Sequence, residues 1–266
     1  MTDEEFRRKY GPWAVVAGAS DGTGAAFAEE LASRGVNVVL VARRRSLLDE
    51  VAASLRTETR VVVLDLSLEE AGTELAATTS DLDVGLFIYN AGSDPRSMLL
   101  LDQTIEDHQA LVRRNCLTAL YGAYHFGGQM VARGRGGVLL VSSFAGSAGA
   151  AHVAVYGATK AFDTVLAESL WAEWRDQGVD VLALVLGATN TPALQRLLST
   201  HGGDLGALAE PADVAQIGLD HLADGPTWNF GMPDPGGPSP LGGLPRRQAV
   251  ELMTTGASAM FGSDGS

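Results

Sequence analysis

The sequence predicts an α/β fold: a doubly wound parallel sheet with helices on both faces. Three observations carry that reading. Short runs of Val, Leu and Ile recur without polar alternation, as strands covered on both faces require. Longer helical patterns separate them in a steady strand-helix rhythm, which implies parallel pairing through right-handed crossovers. A glycine-rich turn joins the first strand to the first helix.

Taken in order, residues 13–17 (WAVVA) read as a buried strand and residues 23–34 as a helix stopped by Gly35. A strand at 36–41 and a helix at 46–55 follow. Further strands are expected at 61–64, 84–89, 138–141 and 179–185, with helices at 68–78, 102–132 and 155–176. The rhythm persists to about Val185, so residues 1–266 are read as one domain. Residues 189–210 break it with Pro192 and a glycine-rich stretch, and read as a mobile lid before a helix at 211–222. Residues 224–245 hold six of the ten prolines and are expected to be an extended surface segment without regular elements. A last amphipathic helix is expected at 246–260, with a frayed tail after Gly262.

Composition narrows the function. Of 266 residues, 46% are hydrophobic, which supplies a sizeable core and excludes global disorder. Acidic residues number 32 against 19 basic ones, a net charge of -13. That balance argues against nucleic-acid partners and against anionic membranes. The single cysteine, Cys116, makes neither an intrachain disulfide nor a cysteine-rich zinc site, and no metal is expected. Residues 136–159 carry no Asp, Glu, Lys or Arg, but their Gly, Ser and Ala content suits a strand, loop and helix start better than a membrane span. The N-terminus, acidic at Asp3 to Glu5 and basic at Arg7 to Lys9, is no signal peptide, and the chain reads as cytoplasmic.

The turn Gly18-Ala-Ser20-Asp21-Gly22-Thr23-Gly24 suits a dinucleotide pyrophosphate, since glycines let it approach backbone N–H groups at a helix N-terminus. The same letters satisfy G-x-S-x-G, which would make Ser20 a hydrolase nucleophile with a late histidine such as His221. An elbow on the first strand leaves no preceding strand for an oxyanion loop, so that reading ranks a remote second. Strand two ends in Ala42-Arg43-Arg44-Arg45. An arginine about ~20 residues beyond the glycine turn accommodates a 2′-phosphate. Arg43 is the first candidate ligand and Arg44 the second, which favours NADP(H) over NAD(H).

Tyr156 and Lys160 are four apart at a helix start, on one face. Tyrosine and lysine titrate near ~10 and ~10.4, but a neighbouring ammonium favours the phenolate and so equips tyrosine for acid-base work. Ser142 and Ser143 end an apolar strand shortly upstream, and Asn115 sits within a helix. With the glycine turn, these motifs resemble the short-chain dehydrogenase/reductase superfamily, which is Rossmann-type, over residues 10–222. The resemblance implies a catalytic tetrad of Asn115, Ser143, Tyr156 and Lys160, with Ser142 the alternative serine. It implies adenine contact at Asp65 with Leu66 beside it, a stabilising Asn90-Ala91-Gly92 motif, and a nicotinamide-side motif holding Gly187, Thr189 and Thr191. Tyr156 and Lys160 would also touch the cofactor. Leu186 stands where the family has proline.

A closer similarity, through Lys9-Tyr10-Gly11-Pro12-Trp13 and the 186–192 segment, points to the hydroxysteroid dehydrogenase and 3-ketoacyl reductase branch. It implies a bulky apolar ketone or alcohol as substrate. Pro192, Ala193, Leu194, Leu197 and Leu198 are expected to form the lid's apolar wall, and His152 lies where the cleft opens. The family also implies a homodimer or homotetramer in which the long helices at 102–132 and 155–176 pair across a two-fold axis, the helix carrying Trp171 and Trp174 offering apolar surface for the contact.

Overall fold

A computed structural model describes residues 1–94, 96–201, 208–232 and 234–261 of the chain. The glycine-rich part of the expected lid at 202–207 and the tail after Gly262 lie outside the described residues.

Seven strands form one parallel sheet: β1 (Trp13–Ala17), β2 (Asn37–Ala42), β3 (Thr59–Val63), β4 (Val84–Tyr89), β5 (Gly136–Ser143), β6 (Val179–Leu186) and β7 (Thr227–Phe230). Their spatial order is β3-β2-β1-β4-β5-β6-β7. Chain order reverses between β1 and β4, so a crevice opens beyond their carboxyl ends, where open α/β sheets bind ligands. This is a Rossmann-type α/β fold.

The absence of polar alternation has a direct cause. Val16, Leu40, Ile88, Leu139 and Leu184 pack on one face with α2 (Gly22–Ser33) and α9 (Pro211–Asp220). Their neighbours Val15, Val39, Phe87, Val138 and Ala183 pack on the other, against α4 (Ala71–Thr78), α6 (Thr118–Arg133) and α7 (Ala154–Trp174). Both faces are dry, and each fully buried Val or Leu contributes about 1.5–3 kcal/mol. Close packing on the second face rests partly on Gly127: a Cβ there would lie 2.4 Å from the Trp174 ring. Trp171 and Trp174 are half-buried and pack against this core.

The remaining helices are α1 (Asp3–Tyr10), α3 (Arg45–Ser54), α5 (Ile105–Val112), α8 (Pro192–His201) and α10 (Arg246–Phe261). Four outcomes differ from the sequence reading. Helix α1 has little apolar periodicity to show, since only Phe6 and Tyr10 are buried; its signal is the Thr2/Glu5 capping box with acids first and bases last. The helix expected at 102–132 is divided into α5, a π-helical turn at Arg113–Leu117, and α6. Strand β7 falls inside the segment 224–245 expected to hold no regular element, and pairs with β6 from Ala183↔Thr227 to Leu186↔Phe230. Part of the expected mobile insertion is helix α8, which Thr191 caps by accepting from Leu194 N at 3.2 Å. Among the described residues no helix is long and apolar enough to cross a membrane.

Candidate active site

The crevice is floored by the glycine turn between β1 and α2. Gly18 and Gly22 are left-handed, at φ +85° and +54°. A Cβ on Gly18 would lie 2.9 Å from Ala91 N, and one on Gly24 would lie 2.0 Å from Gly18 O. Asn90 fastens the turn from the β4 side, donating from Nδ2 to Gly18 O at 3.2 Å. Asp21 is the N-cap residue of α2 yet makes no side-chain cap hydrogen bond. A glycine cradle at a helix start without a side-chain cap suits a pyrophosphate.

Charge gathers at the edge of this cradle. Arg44 donates to Ser20 Oγ at 2.9 Å and to Asp21 Oδ2 at 2.7 Å. Ser20 thus faces a guanidinium, which has no lone pair to take a proton. His221, the base that a Ser20 hydrolase would need, pairs instead with Asp224 at 2.6 Å and stacks on Trp228. Arg43 is exposed and stands 3.9 Å from Asp65. Burial works against the Asp65 carboxylate, but two Ser67 hydrogen bonds prevail, helped by Arg43 and Arg114, and hold it below the usual range. Leu66 is buried, its carbonyl accepting from Thr118 Oγ1 at 2.9 Å.

Beyond the carboxyl ends of β4 and β5 the predicted catalytic residues converge. The π-helical turn holds Asn115, fully buried, which donates from Nδ2 to Thr159 Oγ1 at 2.9 Å. Such one-turn π segments recur at functional sites. Arg113 and Arg114 anchor the turn to the loops after β3 and β4, donating to Ser67 O at 2.9 Å and Ser93 O at 2.6 Å. The pleat separates the two serines. Ser142 is buried and bonded into α7, through Lys160 O at 2.7 Å and Thr164 Oγ1 at 2.8 Å. Ser143 is half-buried at the strand end, and its Oγ accepts only a 3.2 Å bond from Ala145 N, which leaves its O–H to donate. Of the two serines, Ser143 is the less buried.

Tyr156 is half-buried in the first turn of α7. One turn on, Lys160 is buried, with Nζ donating to Val141 O at 2.7 Å and to Asp163 Oδ2 at 3.0 Å. Gly92 makes room for it, since a Cβ there would lie 2.9 Å from Nζ. No motif in the sequence marks Asp163, Arg113 or Arg114. Cys116 is buried beside this group, and burial, with Asp163 adding to it, pushes its thiol up to about 11, so it serves as packing.

On the far side, Leu186 continues β6 and is buried, which accounts for an ordinary strand residue where the family has proline. Gly187 packs under Gly231, whose carbonyl a Cβ would meet at 2.1 Å. Thr189 bridges to Ala209, and Thr191 leans on the glycine turn, 3.1 Å from where a Gly22 Cβ would be. On α8, Ala193, Leu194, Leu197 and Leu198 are half-buried and Pro192 is exposed. Helix α10 lies over the loop between β5 and α7: Arg246 donates to Ser147 O at 2.9 Å and Thr254 Oγ1 accepts from Ala151 N at 3.3 Å. That loop carries His152, half-buried and left-handed at φ +66°, an unusual conformation for a residue with a Cβ.

The family model described as short chain dehydrogenase matches residues 12–202. The chain belongs to the short-chain dehydrogenase/reductase family. Membership makes it an oxidoreductase acting on CH–OH groups with a nicotinamide cofactor. This short-chain dehydrogenase is 36% identical over 205 residues to a 7beta-hydroxysteroid dehydrogenase of Mediterraneibacter gnavus, covering 76% of this chain and 77% of the relative. It is 39% identical over 206 residues to a very-long-chain 3-oxoacyl-CoA reductase of Podospora anserina, covering 73% of this chain and 60% of that one. A solved structure concerned with 7beta-hydroxysteroid dehydrogenase stereoselectivity matches at a TM-score of 0.77 and 34% identity, over 85% of this chain and 90% of its own. A short-chain dehydrogenase from Sphingobium yanoikuyae in complex with NADPH matches at a TM-score of 0.74 and 27% identity, over 96% and 98%.

Proposed function

We propose that this short-chain dehydrogenase interconverts a ketone and a secondary alcohol on a bulky, largely apolar substrate, with NADP(H) as cofactor and hydroxysteroids as the first substrate class. The observation that supports the reading is the grouping of Asn115 and Lys160 around Gly92, with Lys160 held on Val141 two residues before Ser143 and one helical turn after Tyr156.

A bound nicotinamide supplies the hydride in reduction and takes it up in oxidation. The glycine turn and the start of α2 hold the pyrophosphate, Arg43 and Arg44 the 2′-phosphate, and Asp65, Leu66 and Asn90-Ala91-Gly92 line the adenosine side. Gly187, Thr189 and Thr191 serve the nicotinamide side. Ser143 donates a hydrogen bond to the substrate carbonyl oxygen, where negative charge develops. Tyr156 gives its proton to that oxygen in reduction and accepts one from the alcohol in oxidation. Two N–H groups of Lys160 are committed to Val141 and Asp163, which leaves the third for ribose hydroxyls. Asn115 supports a water relay toward Lys160. Helix α8 serves as a cover over the nicotinamide side of a single dinucleotide-binding domain, and its closure excludes water.

The similarity to a 3-oxoacyl-CoA reductase favours a second reading, reduction of 3-ketoacyl thioesters. A turnover panel of keto- and hydroxysteroids, 3-ketoacyl thioesters and small polar sugars decides between them. Steroids are expected to lead by about tenfold or more in kcat/KM, because apolar contacts of a few methylenes are worth that much. Preference for the sugars sinks both readings.

The protein is further proposed to assemble as a homodimer or homotetramer. Leu117, Leu120, Tyr121 and Tyr124 expose apolar surface along α6 and the turn before it, and Val165 does so on α7, with Tyr124 80% exposed. Light scattering at micromolar concentration is expected to give a multiple of the chain mass, and a monomer there counts against it.

A further inference from the structure

The mechanism above uses Tyr156 and Lys160 and leaves a third ionisable group on the same helix face without a task. Tyr156, Lys160 and Asp163 stand at i, i+4 and i+7 on α7. Lys160 is 3% exposed and Asp163 is 1% exposed. A lone ammonium at that depth tends to lose its proton, since burial disfavours the charged form. Here Nζ donates to Asp163 Oδ2 at 3.0 Å and to Val141 O at 2.7 Å. The other carboxylate oxygen, Oδ1, is buried without a hydrogen-bond partner. Such a carboxylate is costly to bury, and an apolar side chain at this inward position would avoid the cost.

The groups around the pair leave Asp163 as the counter-ion. Tyr156 faces it on α7, Cys116 from the π-helical turn, and Tyr89 from β4 with Arg114 beyond it. Burial keeps the Cys116 thiol protonated at neutral pH, and burial with Asp163 does the same for Tyr89. From β5 come the Val141 carbonyl and the neutral Ser142, and from the loop after β4 comes Gly92. Burial works against the Lys160 ammonium, yet Asp163, with Tyr156 behind it, outweighs burial and the proton is held more tightly than in ordinary lysine.

We propose that Asp163 is a positioning residue for the reaction: a buried counter-ion that keeps Lys160 charged and fixed on the Val141 carbonyl beside Tyr156. This rests on the acid-base reading of Tyr156. Without the carboxylate, Lys160 loses its proton, Tyr156 loses its neighbouring cation, and the phenolate becomes harder to form.

The test is a tyrosinate absorbance titration of the cofactor-free full chain, with the Tyr156 contribution isolated by subtracting the same titration in a Tyr156→Phe background. Asp163→Asn keeps the shape and removes the charge. Its Tyr156 signal is expected to move to higher pH by about one unit or more, and Asp163→Glu to recover part of that shift. The acidic limb of kcat/KM for alcohol oxidation should move the same way. In a Lys160→Met background, Asp163→Asn should move nothing, because the effect runs through Lys160. An unmoved or lowered Tyr156 signal overturns the proposal, and so does a shift that persists without Lys160. The titration needs no substrate, so a failure here and a failure of the Tyr156 reading in turnover are told apart. Should Asp163→Asn not fold, thermal unfolding of Lys160→Met is compared with the Lys160→Met/Asp163→Asn pair. The single variant, which strands a buried carboxylate, is expected to melt lower. An equal or higher melting temperature overturns the pairing.

Discussion

Replacing Tyr156 by Phe is expected to cut turnover by about 10²–10⁴-fold, the range that a positioned general acid contributes, while NADP(H) binding stays near wild type. The variant deletes one hydroxyl and keeps the ring. Tyr156 caps no helix and holds no buried partner through that hydroxyl among the described hydrogen bonds, so the fold should tolerate the change. What is lost is the proton that must reach the substrate oxygen as hydride arrives at carbon. Ser143 remains as a donor and stabilises part of the developing charge, which is why activity falls to a residue rather than to nothing. Lys160→Ala should damage both turnover and cofactor binding, because the proposed mechanism gives its Nζ a part in both. The measurement is kcat on a confirmed ketone together with the Kd for NADPH by fluorescence. Near wild-type kcat in Tyr156→Phe would show that the acid-base assignment is wrong.

The parts of this site that the sequence displays are those whose chemistry is local. A tyrosine and a lysine four apart share a helix face whatever surrounds them, and a glycine turn after an apolar strand meets a helix N-terminus. The central strands are equally plain, because burial on both faces leaves runs such as VVLV at 38–41 with no polar residue to confuse the period. What stays hidden depends on tertiary context. Adjacent serines at a strand end look equivalent until the pleat sends Ser142 into α7 and leaves Ser143 half-exposed with its O–H able to donate. Asp163 reads as one more polar residue on a long helix, and its burial at 1% exposure beside Lys160 is visible only in the folded chain. The π-helical turn has no letter of its own: one extra residue per turn around Asn115 is a backbone event, fixed by Arg113 and Arg114 reaching to carbonyls far away in sequence. Strand β7 has only Trp228 and Phe230 to show an alternation, inside a segment dominated by proline. Trp171 and Trp174 illustrate the converse, since large apolar letters at helical spacing suit a core as well as an interface, and in the folded chain both are half-buried against the core.

Arg43→Ala is expected to lower kcat/KM for NADPH by about tenfold to a hundredfold, the equivalent of about 1.5–3 kcal/mol for one charge-assisted hydrogen bond, and to leave kcat/KM for NADH nearly unchanged. The structure explains why Arg43 should matter more than Arg44. Arg44 is already committed to Ser20 and Asp21, so recruiting it to a phosphate means breaking those contacts. Arg43 is exposed and stands 3.9 Å from Asp65, beyond hydrogen-bond range, and its guanidinium is available at little cost. Arg44→Ala should therefore act less on cofactor choice and more on the glycine turn, weakening both cofactors together. Arg43→Asp should go further than Ala, because the new carboxylate repels a 2′-phosphate and can accept from the ribose hydroxyls of NADH. It also faces Asp65, so part of its effect is like-charge repulsion within the protein, and the Ala variant is the cleaner measure. A phosphate contact by Arg43 would be electrostatic, so on the proposed reading a preference for NADPH is expected to shrink as ionic strength rises, and less so in Arg43→Ala. An NADPH/NADH ratio of kcat/KM that is the same in wild type and in both Arg43 variants would take the 2′-phosphate away from Arg43 and reopen NAD(H) as the cofactor.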